Sequence, residues 1–298
     1  MGATRIVMCG CTSYGEHLAS RLLANGIQFS YFVLITPENA VKYQISGYCD
    51  LRPLAAAHGI PVYMAQSYAL TADDDRRFFR EQSFDLLVQG GWQRLFPNEV
   101  IEGLGIGAVG VHGSADLLPK GRGRSPLNWS LIEGKKRFLL QLFLMRAGAD
   151  DGPVFDCEAF DITERDSIET LYFKNVIVTT RMLLRSIDKL AAGTPNLHPQ
   201  KGAPSYYPKR SPEDGAIDWE EMDVHYIDRL VRASTRPYPG AYGVLGGVLQ
   251  RIWRAQVFDT RLLYPDAAYG DVVERFGDVL IVNCRGGLLL VDNYEPIA

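Results

Sequence analysis

The stretch RIVMCGCTSYGEHLASRLLANG, residues 5–26, decides the fold. Its first six residues are a short, mostly apolar run that stops at glycine, the pattern of a buried strand. From Tyr14 the apolar positions recur at helical spacing, and Gly26 is the helix stop. A buried strand, a glycine turn and an amphipathic helix make the first half of a βαβ unit. The turn invites a dinucleotide reading, but the G-x-G-x-x-G fingerprint needs glycine where Thr12 stands. Gly10 and Gly15 therefore read as a tight strand–helix joint.

The same rhythm continues outward. FSYFVLIT, IPVYMA, FDLLVQGG and IGAVGVHGS read as strands, with DLRPLAAAHG and DDDRRFFREQS as helices between them. This alternation predicts an α/β fold on a doubly wound, mostly parallel sheet. Its ligand crevice belongs beyond the carboxyl ends of the strands, where residues 91–97 and His112 emerge. FLLQLFLMR and GPVFDCEAFDI read as two more strands around a hairpin, followed by a long amphipathic helix that ends at Gly193. The proline-rich stretch TPNLHPQKGAPSYYPKR then breaks the periodicity. A helix over residues 223–234 and five short β-type runs follow, as in a small barrel-like β domain. The expected layout is a catalytic domain over 1–195, a linker over 196–215 and a β-barrel-like domain over 216–298.

At 298 residues, with 47% apolar and 22% charged side chains, the chain has the make-up of a globular protein of two domains. A net charge of −4 argues against an extended nucleic-acid face. Five irregularly spaced cysteines suit reduced thiols rather than a disulfide framework. Cys9 and Cys11 lack a second ligand pair, so no metal is expected. There is no long apolar run at the N-terminus or elsewhere, so neither leader nor membrane span is expected and the location expected is cytoplasmic.

The segment GVHGSADLLPKGRGRSPLNW, residues 110–129, sets His112 in a glycine-lined turn ahead of Lys120, Arg122 and Arg124. Two descriptions compete: a solvated loop whose histidine bonds the turn, or an active-site loop that binds an anion. The motif resembles the signature loop of 10-formyltetrahydrofolate-dependent formyltransferases, which runs Asn-x-His-x-Ser-Leu-Leu-Pro, Arg-Gly and Pro-x-Asn-Trp, with Asp-x-Gly downstream. The matches are His112, Ser114, Leu117-Leu118-Pro119, Arg122-Gly123, Pro126, Asn128-Trp129 and Asp150-Asp151-Gly152. RSPEDGAIDWEE, RLVRASTRPYPGAY and RIWRAQV are similar to the second domain of methionyl-tRNA and amino-sugar formyltransferases. Two departures stand out. Gly110 replaces the asparagine, and Ala115-Asp116 is a two-residue insertion.

The resemblance implies a Rossmann-like formyltransferase domain followed by a small OB-like one. It implies 10-formyltetrahydrofolate as co-substrate, no metal, and the amine of a nucleotide-linked amino sugar as acceptor, by closest likeness. Methionyl-tRNA formyltransferase, a formyl-folate hydrolase and a non-catalytic folate- or nucleotide-binding relative are the alternatives; a homodimer is compatible with all of them. His112 and Asp150 are the expected catalytic pair, since a carboxylate favours the charged imidazole that an oxyanion donor needs. Asp151 is the competing carboxylate. Ser114, Gln93, Gln89 or a backbone N–H is expected to replace the donor missing at Gly110. GGWQRLFP, residues 90–97, is expected to hold the pterin through Trp92, Gln93, Arg94 and Leu95, with Gly148 and Asp150 beside them; Trp92 and Leu95 are core residues on the alternative view. Lys120, Arg122 and Arg124 suit a diphosphate, although Arg122 can equally be structural. Tyr238, Pro239, Gly240 and Trp253 read as packing.

Overall fold

The computed structural model describes residues 4–297; residues 1–3, at the start of the stretch read for a leader, and residue 298 lie outside them. The chain forms two compact units. One takes the chain as far as Gly123, with Leu139–Phe160 and Tyr172–Tyr206. The other takes Arg124–Phe138, Asp161–Leu171 and the chain from Tyr207 onward.

The first unit is organised by a seven-stranded sheet. Its strands are β1 (Ile6–Gly10), β2 (Tyr31–Leu34), β3 (Val62–Met64), β4 (Leu86–Gly90) and β5 (Gly107–Ser114). After a two-residue strand, β6 (Arg122–Gly123), come β7 (Arg137–Leu144) and β8 (Val154–Asp161). The order is β3-β2-β1-β4-β5-β7-β8. Every pair from β3 to β5 is parallel, whereas β7 runs antiparallel to β5. Helices α1 (Ser13–Ala24), α2 (Pro37–Lys42), α3 (Arg52–Ala57), α4 (Asp73–Gln82) and α5 (Asn98–Glu102) separate the parallel strands. Further on lie α6 (Pro126–Ile132) and α7 (Ile168–Ala191). Val7, Val33, Leu87, Phe79 and Phe84 share one buried cluster, the apolar filling that the parallel strands require.

Strand order reverses between β1 and β4, whose ends pair at Gly10 and Gly90. There the chain approaches itself closely. A Cβ on Gly15 would lie 2.0 Å from the Gly90 carbonyl oxygen, and one on Gly91, at φ +78°, would lie 1.9 Å from Thr12 Oγ1. Thr12 also caps α1 by accepting the Gly15 N–H at 3.4 Å. These glycines are consumed by chain packing, which is the strand–helix joint read from the sequence.

At the end of the first unit's last segment β9 (Tyr206–Tyr207) pairs with β6. In the second unit α8 (Val224–Ser234) is capped by Asp223, which accepts the Tyr226 N–H at 2.7 Å. The small β domain is a five-stranded antiparallel sheet of β10 (Ala241–Leu245), β11 (Val248–Asp259), β12 (Val272–Phe276), β13 (Val279–Cys284) and β14 (Gly287–Pro296). Its order is β10-β11-β14-β13-β12, and each strand lies on a run read as β-type. Among the described residues no helix is long and apolar enough to cross a membrane, and no cluster of side chains is arranged to hold a metal.

Gly15→Ala should lower stability by about 1–3 kcal/mol, the usual cost of forcing atoms into a filled space. Urea denaturation checks this. An unchanged midpoint would mean that α1 does not need its close approach to β4.

Candidate active site

Side chains alternate along a strand, so Gly110, His112 and Ser114 share one face of β5. The antiparallel register sets them opposite Phe143, Gln141 and Leu139 of β7. Those three share the same face, because directly opposed residues point the same way.

His112 is 6% exposed. Its Nδ1 lies 3.4 Å from Asp150 Oδ2, and its Nε2 lies 2.7 Å from the Gly121 carbonyl oxygen. Both neighbours are hydrogen-bond acceptors, which leaves the ring nitrogens as the donors. Burial alone would raise the Asp150 carboxyl, but the His112 hydrogen bond and charge, the Gly123 N–H and Arg122 outweigh it. Together they hold the carboxyl below its ordinary range. Asp150 also sits at φ +50°, a left-handed conformation that Asp tolerates better than most residues. Such a conformation persists where its surroundings fix it. Here Gln200 Nε2 donates to the carbonyls of Asp150 and Gly152, each at 2.9 Å. Asp151 points elsewhere: its carboxylate meets Arg122 Nη2 at 3.4 Å and accepts the Gly152 N–H. Asp150 is therefore the carboxylate on His112.

The loop after β5 is tied down from several sides. Ser114 Oγ donates to the Asp116 carbonyl at 2.6 Å and accepts the Asp116 N–H, closing the inserted Ala115-Asp116 into a local turn. The Gly121 N–H donates to Ser205 Oγ, the Arg122 N–H to the Ser205 carbonyl, and Arg122 Nη2 to Gln200 Oε1 at 2.6 Å. The proline-rich stretch expected to be a linker thus straps the loop and orients Asp150. Arg122 is 12% exposed and committed to this strap. Lys120 and Arg124 are exposed, and among the described residues neither forms an ion pair. Gly148 is exposed in the turn before Asp150, where its carbonyl accepts the Asp151 N–H.

The expected pterin segment divides in two. Trp92 is 2% exposed and packs in the core beside Phe96 and against the edge of Tyr68, so it does not wall a slot. An aromatic directly after a buried strand is drawn inward by the apolar area that it buries. Leu95 is 61% exposed. The Gln93 N–H donates to the Tyr68 hydroxyl, and its side chain donates to the Ser46 carbonyl. Arg94 lies over the Tyr68 ring, 4.9 Å from its centroid. Among the described residues the main-chain groups of Arg94 and Leu95 form no hydrogen bond, leaving an edge of donors and acceptors beside an exposed apolar side chain.

Gly110 leaves no space for an asparagine. A Cβ there would lie 2.4 Å from the Phe143 ring, which is itself buried. Each side chain expected to replace it already donates to a main-chain carbonyl: Ser114 to Asp116, Gln93 to Ser46, and Gln89 to Trp92 at 2.7 Å. Sequence reasoning missed Gln200, Ser205 and Gln141. The first two sit in a stretch without periodicity. Gln141 left a legible signal, as the single polar residue in FLLQLFL.

The model described as "Formyl transferase" matches residues 7–187, and "Formyl transferase, C-terminal domain" matches 209–297. Methionyl-tRNA formyltransferase of Levilactobacillus brevis is 27% identical over 295 residues, covering 98% of this chain and 91% of its own length. HypX from Aquifex aeolicus, solved with tetrahydrofolic acid, superposes with a TM-score of 0.69 at 18% identity. It aligns with all of this chain, which spans only 45% of that longer protein. The N-formyltransferase from Helicobacter canadensis, solved with folinic acid and dTDP-3-aminofucose, gives a TM-score of 0.69 at 14% identity. That alignment covers 98% of this chain and all of that one.

Asp150→Asn should cost about 1.5–3 kcal/mol at neutral pH, the range for a hydrogen bond to a charged group. The folded carboxyl titrates below its unfolded value of about 3.9. Its stabilisation is therefore complete above that value and is lost as the pH falls through the lower, folded one. Denaturation at stepped pH should show the wild type converging on the variant in acid. A constant gap between them would mean that His112 and Asp150 are not coupled.

Proposed function

Because the chain belongs to the formyl transferase family, we propose that it moves a formyl group from 10-formyltetrahydrofolate to a primary amine, with His112 and Asp150 as the catalytic pair. The observation that carries this reading is the buried His112–Asp150 contact, at 3.4 Å, under a loop with the family's Arg-Gly and Leu-Leu-Pro steps. The amine nitrogen attacks the formyl carbon, a carbon–nitrogen bond forms, and the carbonyl oxygen becomes an oxyanion. Collapse then breaks the bond to the folate nitrogen, and the proton lost by the amine is balanced by one gained there. His112 donates to the oxyanion or to the departing nitrogen, and Asp150 orients the ring. In this structure the Gly121 carbonyl occupies His112 Nε2. The loop must give up that bond for the formyl oxygen to take its place. The exposed edge at Arg94 and Leu95 suits the pterin.

For the acceptor, the curated relatives favour methionyl-tRNA. A nucleotide-linked amino sugar is the second reading, and charge favours it. Residues 207–298 hold ten lysines and arginines against fourteen aspartates and glutamates, a poor balance for phosphate neutralisation by that stretch. The exposed Lys120 and Arg124 suit a diphosphate. Arg122, bound to Gln200, serves here as a positioning residue.

Formyl transfer from 10-formyltetrahydrofolate should be assayed against charged methionyl-tRNA, uncharged tRNA, a panel of nucleotide-linked amino sugars and no acceptor. We expect turnover on one amine, reduced roughly 10²–10⁴-fold in kcat by His112→Ala, the usual worth of a general acid or base. Activity on tRNA that falls steeply with salt assigns the first acceptor, and activity on one sugar assigns the second. Formate release without an acceptor would make the protein a hydrolase. Folate binding without any turnover would make it a binding relative.

A further inference from the structure

The missing asparagine leaves a chemical role unfilled. Loss of one oxyanion donor ordinarily costs about 10²–10³ in rate. Phe143 fills the asparagine's place, Ser114 gives its hydroxyl to a main-chain carbonyl, and the amides of Gln93 and Gln89 are each turned to one. One amide on the same face of β7 is not. Gln141 is 2% exposed and stands directly opposite His112 in the β5–β7 register, one alternation along from the Phe143 that closes off Gly110. Its Oε1 accepts the Leu118 N–H at 3.1 Å, which fixes the orientation of the amide. Its Nε2 is enclosed and, among the described residues, has no hydrogen-bond partner. A buried donor left unpaired costs about 1–3 kcal/mol, and an acceptor that arrives during function is one reason for a core to retain it; beside His112 that reason has a candidate in the formyl oxygen.

We propose that the Gln141 side-chain amide, buried and unpaired opposite His112, donates to the formyl oxygen in place of the asparagine absent at Gly110. The inference rests on the formyl-transfer reading and names a further catalytic residue within it. One loop meets both groups, in different ways. Gly121 caps His112 Nε2 and must move aside, whereas Leu118 bonds only Oε1 of Gln141 and keeps its already unpaired Nε2 aimed. The pair then holds the oxyanion from β5 and β7, two strands whose register fixes the spacing, and needs no group from the loop.

Three variants and one titration test this. Gln141→Met removes the amide at nearly the same length. Gln141→Glu keeps the oxygen that Leu118 needs but not the amide donor. In Gln141→Met with Gly110→Asn and Phe143→Ala, an asparagine returns to a site cleared for it. With wild-type turnover established on its amine, both single variants should lose about 10²–10³-fold in kcat, with KM for the folate within a few-fold of wild type. The triple variant should regain at least about tenfold, because it restores a donor; a packing role for Gln141 would not be rescued in this way. Independently, the Gln141 side-chain amide resonance should shift when 5-formyltetrahydrofolate is added to the ¹⁵N-labelled wild type. Wild-type kcat in Gln141→Met, or an unmoved amide resonance, overturns the proposal and leaves the transferase reading standing. A wild type silent on every acceptor overturns the transferase reading and removes the catalytic role with it; the titration then decides whether Gln141 meets the formyl group at all.

Discussion

The antiparallel pairing of β5 with β7 is the constraint on which the site depends. The sheet is parallel as far as β5, and an antiparallel neighbour there puts residues in direct opposition. That opposition sets Phe143 against Gly110 and Gln141 against His112. A slip of one residue would turn every one of these side chains to the other face. The same register excludes an asparagine from position 110 and brings an amide to the neighbouring pair. Composition of the site and geometry of the strands are thus a single fact.

A second layer orients the first. His112 meets the carboxylate of Asp150, which is presented from a left-handed turn held through Gln200. Gln200 also fixes Arg122, which holds Asp151 away from the histidine. Ser205 ties the same loop through its hydroxyl and its carbonyl. For the proposed transfer, stiffness in this network matters, since a donor displaced by about 1 Å can cost about a hundredfold in rate. Yet the loop also caps the histidine with a backbone carbonyl. It must be stable enough to place Asp150 and labile enough to release Nε2.

The elements that periodicity governs were legible in the residues. The strand–glycine–helix opening, the parallel strands and the five C-terminal strands occupy the runs that their apolar patterns marked. His112, Asp150 and Ser114 were legible as a motif, and the choice of Asp150 over Asp151 came from the resemblance before the geometry showed it. What remained hidden depends on long-range contact. Gln200 and Ser205 act across 50 and 84 residues of sequence, within a stretch whose prolines read only as a break. Trp92 could face a slot or the core, and tertiary packing drew it inward. Arg122 looked like an anion ligand because its partners were out of sight of the sequence.

A crystal structure of the protein with 5-formyltetrahydrofolate tests the central claim most directly. The account requires the pterin edge on the main chain of Arg94 and Leu95, and the formyl group within hydrogen-bond distance of His112. It also requires the Gly121 carbonyl to be displaced from Nε2. Folate bound away from β5, or bound with the His112–Gly121 bond intact, would contradict it.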